Sequence, residues 1–148
     1  HFERILENAL LEGQKTHTPF VVMILDLNKF KEINDQKGHD VGDFVLKVVA
    51  QRIQHVIRIY DGVFRFGGDE FAVLIEHCKK EAAIRVAEEI WQNINGQICF
   101  NTDTFVISAS IGIAQYVAGD SASDIVKRAD DAMYHAKMGQ LHYVYRAA

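Results

Sequence analysis

Apolar residues open the chain at helical spacing, with Phe2, Ile5, Leu6, Ala9 and Leu10 on one stripe. The pattern predicts an amphipathic helix ending near Gly13. After Pro19 the character changes to an unbroken apolar run, residues 20–25, which suits a strand covered on both faces and stopping at Asp26. Residues 28–36 predict a short helix broken at Gly38. A longer helix follows, with Val41, Phe44, Val45, Val48, Val49, Ile53 and Val56 on one side. Two β-prone runs over 63–76 flank Gly67-Gly68-Asp69-Glu70 and read as a hairpin whose glycines supply positive φ. The next helix turns Ala82, Ala83, Val86, Ala87, Ile90 and Trp91 inward. Residues 98–100 and 105–114 predict a second hairpin around Asn101-Thr102-Asp103. Ser123 is the expected N-cap of a last helix running through Lys137, with Met133 and Tyr134 in the core, and 142–145 form a closing strand. Helices interrupted by two hairpins exclude a purely parallel sheet. The fold class is α/β (an α+β sandwich), with a central mixed, mainly antiparallel sheet of about five strands flanked by helices.

Composition narrows the picture without changing it. The 148 residues, 49% hydrophobic and 24% charged, fit one domain with a real core and exclude disordered and fibrous classes. Sixteen basic against twenty acidic side chains give a net charge of −4, which disfavours a nucleic-acid polymer as partner. No apolar run spans a bilayer. Cys78 and Cys99 have neither metal nor redox spacing and read as small core residues in a reducing, cytoplasmic setting, with membrane anchoring of a longer protein left open. A start in mid-helix pattern at His1 is read as truncation of a longer protein.

The candidate chemistry is acidic. Adjacent carboxylates on a hairpin exceed what a turn needs, and a strand fixes their geometry. Asp26 ends a buried strand, where α/β sheets place ligand groups. If the ends meet, Asp26, Asp69 and Glu70 converge and need a cation or a proton to coexist. Hard oxygen donors without His or Cys favour Mg²⁺ or Mn²⁺ over zinc, and such sites act on phosphates. Lys29, Lys31 and Lys137 offer phosphate charge. Asn34, His39 and Asp43 follow Asp26, and an amide paired with a carboxylate can read guanine. Taken singly, each of these residues has a plainer reading as a cap, turn or solvated surface group.

Together the motifs resemble the GGDEF-domain diguanylate cyclases across nearly the whole chain. The matching stretches are Arg65-Phe66-Gly67-Gly68-Asp69-Glu70-Phe71, the segment from Asp26 to Asp35, Gly38-His39-Asp40-Val41-Gly42-Asp43, Ser108 to Ala114, and Ala129 to Lys137. The resemblance implies a nucleotidyl-cyclase or polymerase-palm-like fold and the condensation of two GTP into cyclic di-GMP with release of pyrophosphate. It implies two Mg²⁺ (or Mn²⁺) per site on Asp26, Asp69, Glu70 and the Leu27 carbonyl. Asp69 would accept the 3′-hydroxyl proton, Glu70 would support it, and Lys31 would stabilise transition-state charge. Substrate would lie along Phe30, Asn34, His39, Asp43, Gly67, Gly68 and Lys137, with Asn34 and Asp43 reading guanine.

One GTP per monomer implies a two-fold homodimer, with sensory or regulatory domains elsewhere in the full-length chain. Arg58 and Asp61 match the family's inhibitory RxxD site for cyclic di-GMP. Two departures from the family pattern bear on metal binding and on phosphate binding respectively. Asn28 stands where the family commonly has Asp, and Gln140 or Leu141 replaces the phosphate-holding arginine after Lys137. The alternatives are a weakly catalytic module that binds GTP or cyclic di-GMP to regulate a partner, and another nucleotidyl cyclase on the same scaffold.

Overall fold

The computed structural model describes residues 1–58 and 62–148. Helix α1 (Phe2–Thr16) precedes strand β1 (Phe20–Asn28), which leads through α2 (Phe30–Lys37) into α3 (His39–Val56). Strands β2 (Gly62–Arg65) and β3 (Glu70–Glu76) form the first hairpin. Helix α4 (Lys80–Ile94) leads into the second, made of β4 (Gly96–Phe100) and β5 (Asp103–Gln115). Helix α5 (Ala122–Met138) and β6 (Tyr143–Arg146) follow. Among the described residues the strands run in the order β2-β3-β1-β5-β4, with β6 also paired to β5. All pairings are antiparallel except β5–β6. The sheet is therefore mixed and mainly antiparallel, with six strands rather than five.

The unbroken apolar run of β1 divides two cores by simple alternation. Val21, Met23, Leu25 and Leu27 pack with Val45, Val49 and Ile53 of α3 and Ala83, Ala87 and Ile90 of α4. Phe20, Val22 and Ile24 face the opposite cluster, with Leu6 and Leu10 of α1 and Ile125 and Ala129 of α5. Helix α5 lies unusually close to the sheet at Gly112. A Cβ there would collide with the Ala129 carbonyl oxygen and the Met133 amide nitrogen, backbone atoms that cannot turn aside.

Several local expectations change. Helix α1 runs past Gly13 to Thr16, where His17 in the left-handed region donates its N–H to the Gly13 carbonyl. Strand β1 continues through Asp26 to Asn28 because β5 pairs with it that far, whereas β3 pairs only as far as Asp26. Lys29, at φ 64°, then turns the chain into α2. The N-cap of α5 is Ser121, not Ser123. The Ser121 hydroxyl accepts from the Asp124 amide at 3.1 Å while the Asp124 carboxylate accepts from the Ser121 amide at 3.0 Å. Gly67 and Gly68 do not take positive φ. Their turn closes instead by Phe66 and Gly67 amides donating to the Glu70 carbonyl at 2.9 and 3.4 Å.

Cys78 is buried as expected, but Cys99 is exposed, because β4 alternation gives the inward place to Ile98. Tyr134 is 56% exposed, lying off the buried stripe of Ala129, Ala132, Met133 and Ala136. No helix among the described residues is long and apolar enough to cross a membrane.

Gly112→Ala is expected to cost about 3 kcal/mol, since the overpacked atoms belong to α5 backbone. The urea midpoint at unchanged m-value measures it. A loss below about 1 kcal/mol would mean that α5 can stand off the sheet.

Candidate active site

The register of the central strands brings the acids together. Asp26 near the end of β1 pairs with Glu70, the first residue of β3, and with Ser110 of β5. The Leu27 amide donates to the Asp69 carbonyl at 3.1 Å, which ties the hairpin turn to the strand carrying Asp26. Carboxylate oxygens from Asp26, Asp69 and Glu70 consequently lie within 4.8 Å of one another. From α5, Lys137 Nζ donates to Asp26 Oδ2 at 2.5 Å.

Such crowding has an electrostatic cost. Burial, followed by the Asp26 charge, holds the Asp69 carboxyl above the usual carboxylate range. Glu70 is raised by burial and Asp26, with further contributions from Asp130 and Asp69. Lys137 opposes both shifts, and its own pKa rises chiefly through the hydrogen bond to Asp26. One ammonium does not satisfy the cluster: the other carboxylate oxygen of Asp26, Oδ1, is buried with no hydrogen-bond partner. An orphaned oxygen among three hard donors fits a divalent cation of the Mg²⁺ or Mn²⁺ type.

Asn28 sits on the same strand face as Asp26. Its amide nitrogen donates to Ser108 Oγ at 3.0 Å and its amide oxygen accepts from Ser110 Oγ at 3.3 Å. The neutral amide is thus satisfied at both ends and spares the cluster a fourth negative charge.

Asp69 also lines a cavity of about 310 Å³ beside the cluster. Helix α2 contributes Phe30, Lys31 and Asn34, helix α3 contributes His39, Asp43 and Leu46, and the hairpin contributes Arg65 and Gly68. The cavity therefore gathers most of the substrate residues expected from sequence. Asn34 Nδ2 lies 3.3 Å from His39 Nδ1, so the two side chains orient one another across the α2–α3 junction. Gly67 is not part of the lining. Leu27 buries its side chain in the core, leaving only its backbone to contribute. Lys137 joins the acids rather than the cavity wall.

Sequence reasoning missed three groups. Leu46 lines the cavity, and Asp130 faces Glu70 closely enough to raise its pKa. Arg65 donates to the carbonyls of Gly67 and Gly68 at 3.3 and 3.0 Å, clasping the turn while lining the cavity. Its place two residues before the double glycine was the available signal. Arg58 is elsewhere: its guanidinium donates to the Glu76 carbonyl, at the far end of β3, about 20 Å along the strand from Glu70. Asp61 lies outside the described residues. Arg146, the first arginine after Lys137, bonds His135 Nδ1 at 2.6 Å and leaves the acidic cluster without it.

Comparison with known proteins finds relatives over nearly the whole chain. The chain is 40% identical over 133 residues to the bifunctional diguanylate cyclase/cyclic di-GMP phosphodiesterase MucR of Pseudomonas aeruginosa, covering 89% of this chain and 19% of MucR. It is 38% identical over 137 residues to the cyclic di-GMP phosphodiesterase NbdA of the same organism, covering 92% and 17%. The chain thus spans about a fifth of the length of these relatives. The crystal structure of the GGDEF domain of YfiN (TpbB) from Pseudomonas aeruginosa superposes with a TM-score of 0.92 at 36% identity, covering 99% of this chain and 94% of that one. Residues 1–141 match the family model described as diguanylate cyclase, GGDEF domain, and the chain belongs to that family of nucleotidyl cyclases.

Proposed function

We propose that this domain is the catalytic module of a diguanylate cyclase, joining two GTP into cyclic di-GMP. The observation that carries the reading is a shared wall: Asp69 belongs both to a carboxylate cluster with an orphaned Asp26 oxygen and to a cavity holding Lys31, Asn34 and Asp43. Each bond forms when the 3′-hydroxyl of one GTP attacks the α-phosphorus of the other. The bond to the β-phosphate breaks, pyrophosphate leaves, and the hydroxyl proton passes to Asp69, with Glu70 supporting. Repeating the step closes the ring. Asp26, Asp69, Glu70 and the Leu27 carbonyl would hold the Mg²⁺ ions, two per site (Mn²⁺ being an alternative), which when bound lower the hydroxyl pKa and neutralise triphosphate charge.

The chain's own residues supply position and field. Asn34 and Asp43 read the guanine edges, His39 steadies Asn34, and Phe30 offers apolar surface. Lys31 stabilises charge at the phosphorus. Lys137, whose ammonium lies against Asp26 beside the cluster, would hold the phosphates. At Gly68 a Cβ would meet no protein atom within 4 Å, and at Gly67 only ordinary contacts. With φ also ordinary there, the fold does not require glycine at either position. An incoming nucleotide passing close to the backbone does.

Because each monomer holds one GTP, two half-sites must face each other in a homodimer. Arg58 with Asp61 would bind product at a site remote from the chemistry, Arg58 being at the far end of β3. A second reading, a weakly catalytic module that binds GTP or cyclic di-GMP, is favoured by two observations. Among the described residues Arg146, the arginine that follows Lys137, bonds His135 rather than joining the cluster, and one relative is named only as a phosphodiesterase.

Incubating the concentrated domain with GTP and Mg²⁺ and assaying cyclic di-GMP separates these readings. Turnover is expected, and Asp69→Asn with Glu70→Gln should lower it by at least about 10²-fold. GTP binding without product would favour the second reading, and full turnover by the double variant would sink the mechanism.

The raised carboxyls give a pH signature. A folded-state pKa above the unfolded value imposes a penalty that is absent below the unfolded value. It grows as pH rises through that value and is complete above the folded one. Mg²⁺ relieves this penalty, so its stabilisation of Tm should be larger at neutral pH than near about pH 4. Equal shifts at both would place the ion elsewhere.

Gly68→Ala should leave stability within about 0.5 kcal/mol while weakening GTP binding. Calorimetry of unfolding and of binding reads the two effects separately.

A further inference from the structure

We infer that Gly42 is a positioning residue for guanine recognition, acting by leaving a seat for the Asn34 carboxamide. The inference rests on the reading of the cavity as a guanine nucleotide site and assigns that selectivity to a residue that does not line the cavity. Gly42 is buried in the first turns of α3, and its amide donates to the Gly38 carbonyl at 3.1 Å. Its φ lies outside the left-handed range, so the backbone there suits any L residue. What excludes a side chain is contact.

A Cβ at Gly42 would strike Asn34 Oδ1 and approach Asn34 Cγ to 3.2 Å and Phe30 Cζ to 3.3 Å. These three nearest atoms all belong to residues that line the cavity. The Asn34 carboxamide is therefore held between His39 Nδ1, 3.3 Å from its nitrogen, and the bare backbone of Gly42 beneath its oxygen. Asp43, the other guanine-reading group, is the next residue along α3. A methyl group at 42 is relieved by rotating the Asn34 side chain, because its amide is the free end of a flexible chain. That rotation separates amide and carboxylate, whose relative placement matches one purine and not another.

Glycine at an interior helix position costs about 1 kcal/mol relative to alanine. Gly42→Ala is consequently expected to fold and to melt no lower than wild type, while recognition falls. Stability and selectivity move in opposite directions, which a purely structural glycine would not do.

The test is a double-mutant cycle. Wild type, Gly42→Ala, Asn34→Ala and the double variant are titrated calorimetrically in Mg²⁺ with GTP and ATP analogues carrying a methylene between the α- and β-phosphorus, which cannot release pyrophosphate. Gly42→Ala should weaken the guanine analogue about tenfold, the scale of one good hydrogen bond lost. The adenine analogue should be little affected, so selectivity falls by a similar factor. In the Asn34→Ala background, adding Gly42→Ala should change guanine affinity by less than about twofold. Independent, additive losses, or an equal loss for both bases, would overturn the inference while leaving the nucleotide site intact. Failure of wild type to prefer the guanine analogue would instead overturn the site reading, and the inference with it.

Discussion

The pairing of β1 with β3 on one side and β5 on the other is the constraint on which everything else depends. It puts Asp26 beside Glu70 and Ser110 at one level of the sheet, and the Leu27 amide then fixes the Asp69 carbonyl. A slip of one residue in either pairing would turn Asp26 to the other face, among Leu25 and Leu27 and their partners. The two apolar cores forbid that slip, since the same alternation assigns Val22 and Ile24 to one layer and Met23 and Leu25 to the other. Apolar burial, not any polar attraction, is what forces three mutually repelling carboxylates to share one corner.

The repulsion is then managed locally. Lys137 enters from α5, whose close approach depends on Gly112, and places its ammonium against Asp26. Asn28 keeps the next polar position neutral, held by Ser108 and Ser110. The remaining imbalance shows in the elevated pKa values of Asp69 and Glu70 and in the unpartnered Asp26 oxygen. A structure that leaves a buried carboxylate oxygen unsatisfied carries a standing preference for a small cation. Folding energy from the two cores thereby sustains a site that would not assemble for its own sake.

Much of this could be read from the chain. Helical stripes and β-prone runs around turn residues located the helices and both hairpins among the described residues, and the motif order pointed to the acids and to the α2–α3 cavity residues. What escaped has a physical cause in each case. Ser121 and Ser123 both stand at the start of the last helix, and only the reciprocal bond with Asp124 makes Ser121 the cap and leaves Ser123 in the first turn. Cys99 resembles a core residue in composition, yet strand parity on β4 turns it outward. The double glycine invited a positive-φ turn, but the hairpin closes on the Glu70 carbonyl with ordinary dihedrals. Leu46 acquires meaning only when α3 meets the first hairpin across the cavity, and Arg65 and Gly42 only when the turn and the α2–α3 junction pack their near neighbours against them, which no periodicity encodes.

The Asp26–Lys137 contact joins residues 111 positions apart, and the strand ladder beside it joins Asp26 to Ser110. Contacts of such long sequence separation form late, because chain closure must precede them. During synthesis the first two-thirds of the domain contains the acidic hairpin and the α2–α3 cavity residues, yet lacks β5 as the second neighbour of β1 and lacks α5 altogether. A nascent chain would thus carry the acids without the strand and helix that confine them. The carboxylate cluster reaches its full set of neighbours only when the last helix docks and brings Lys137 to Asp26, so the geometry of this corner reports completion of the fold.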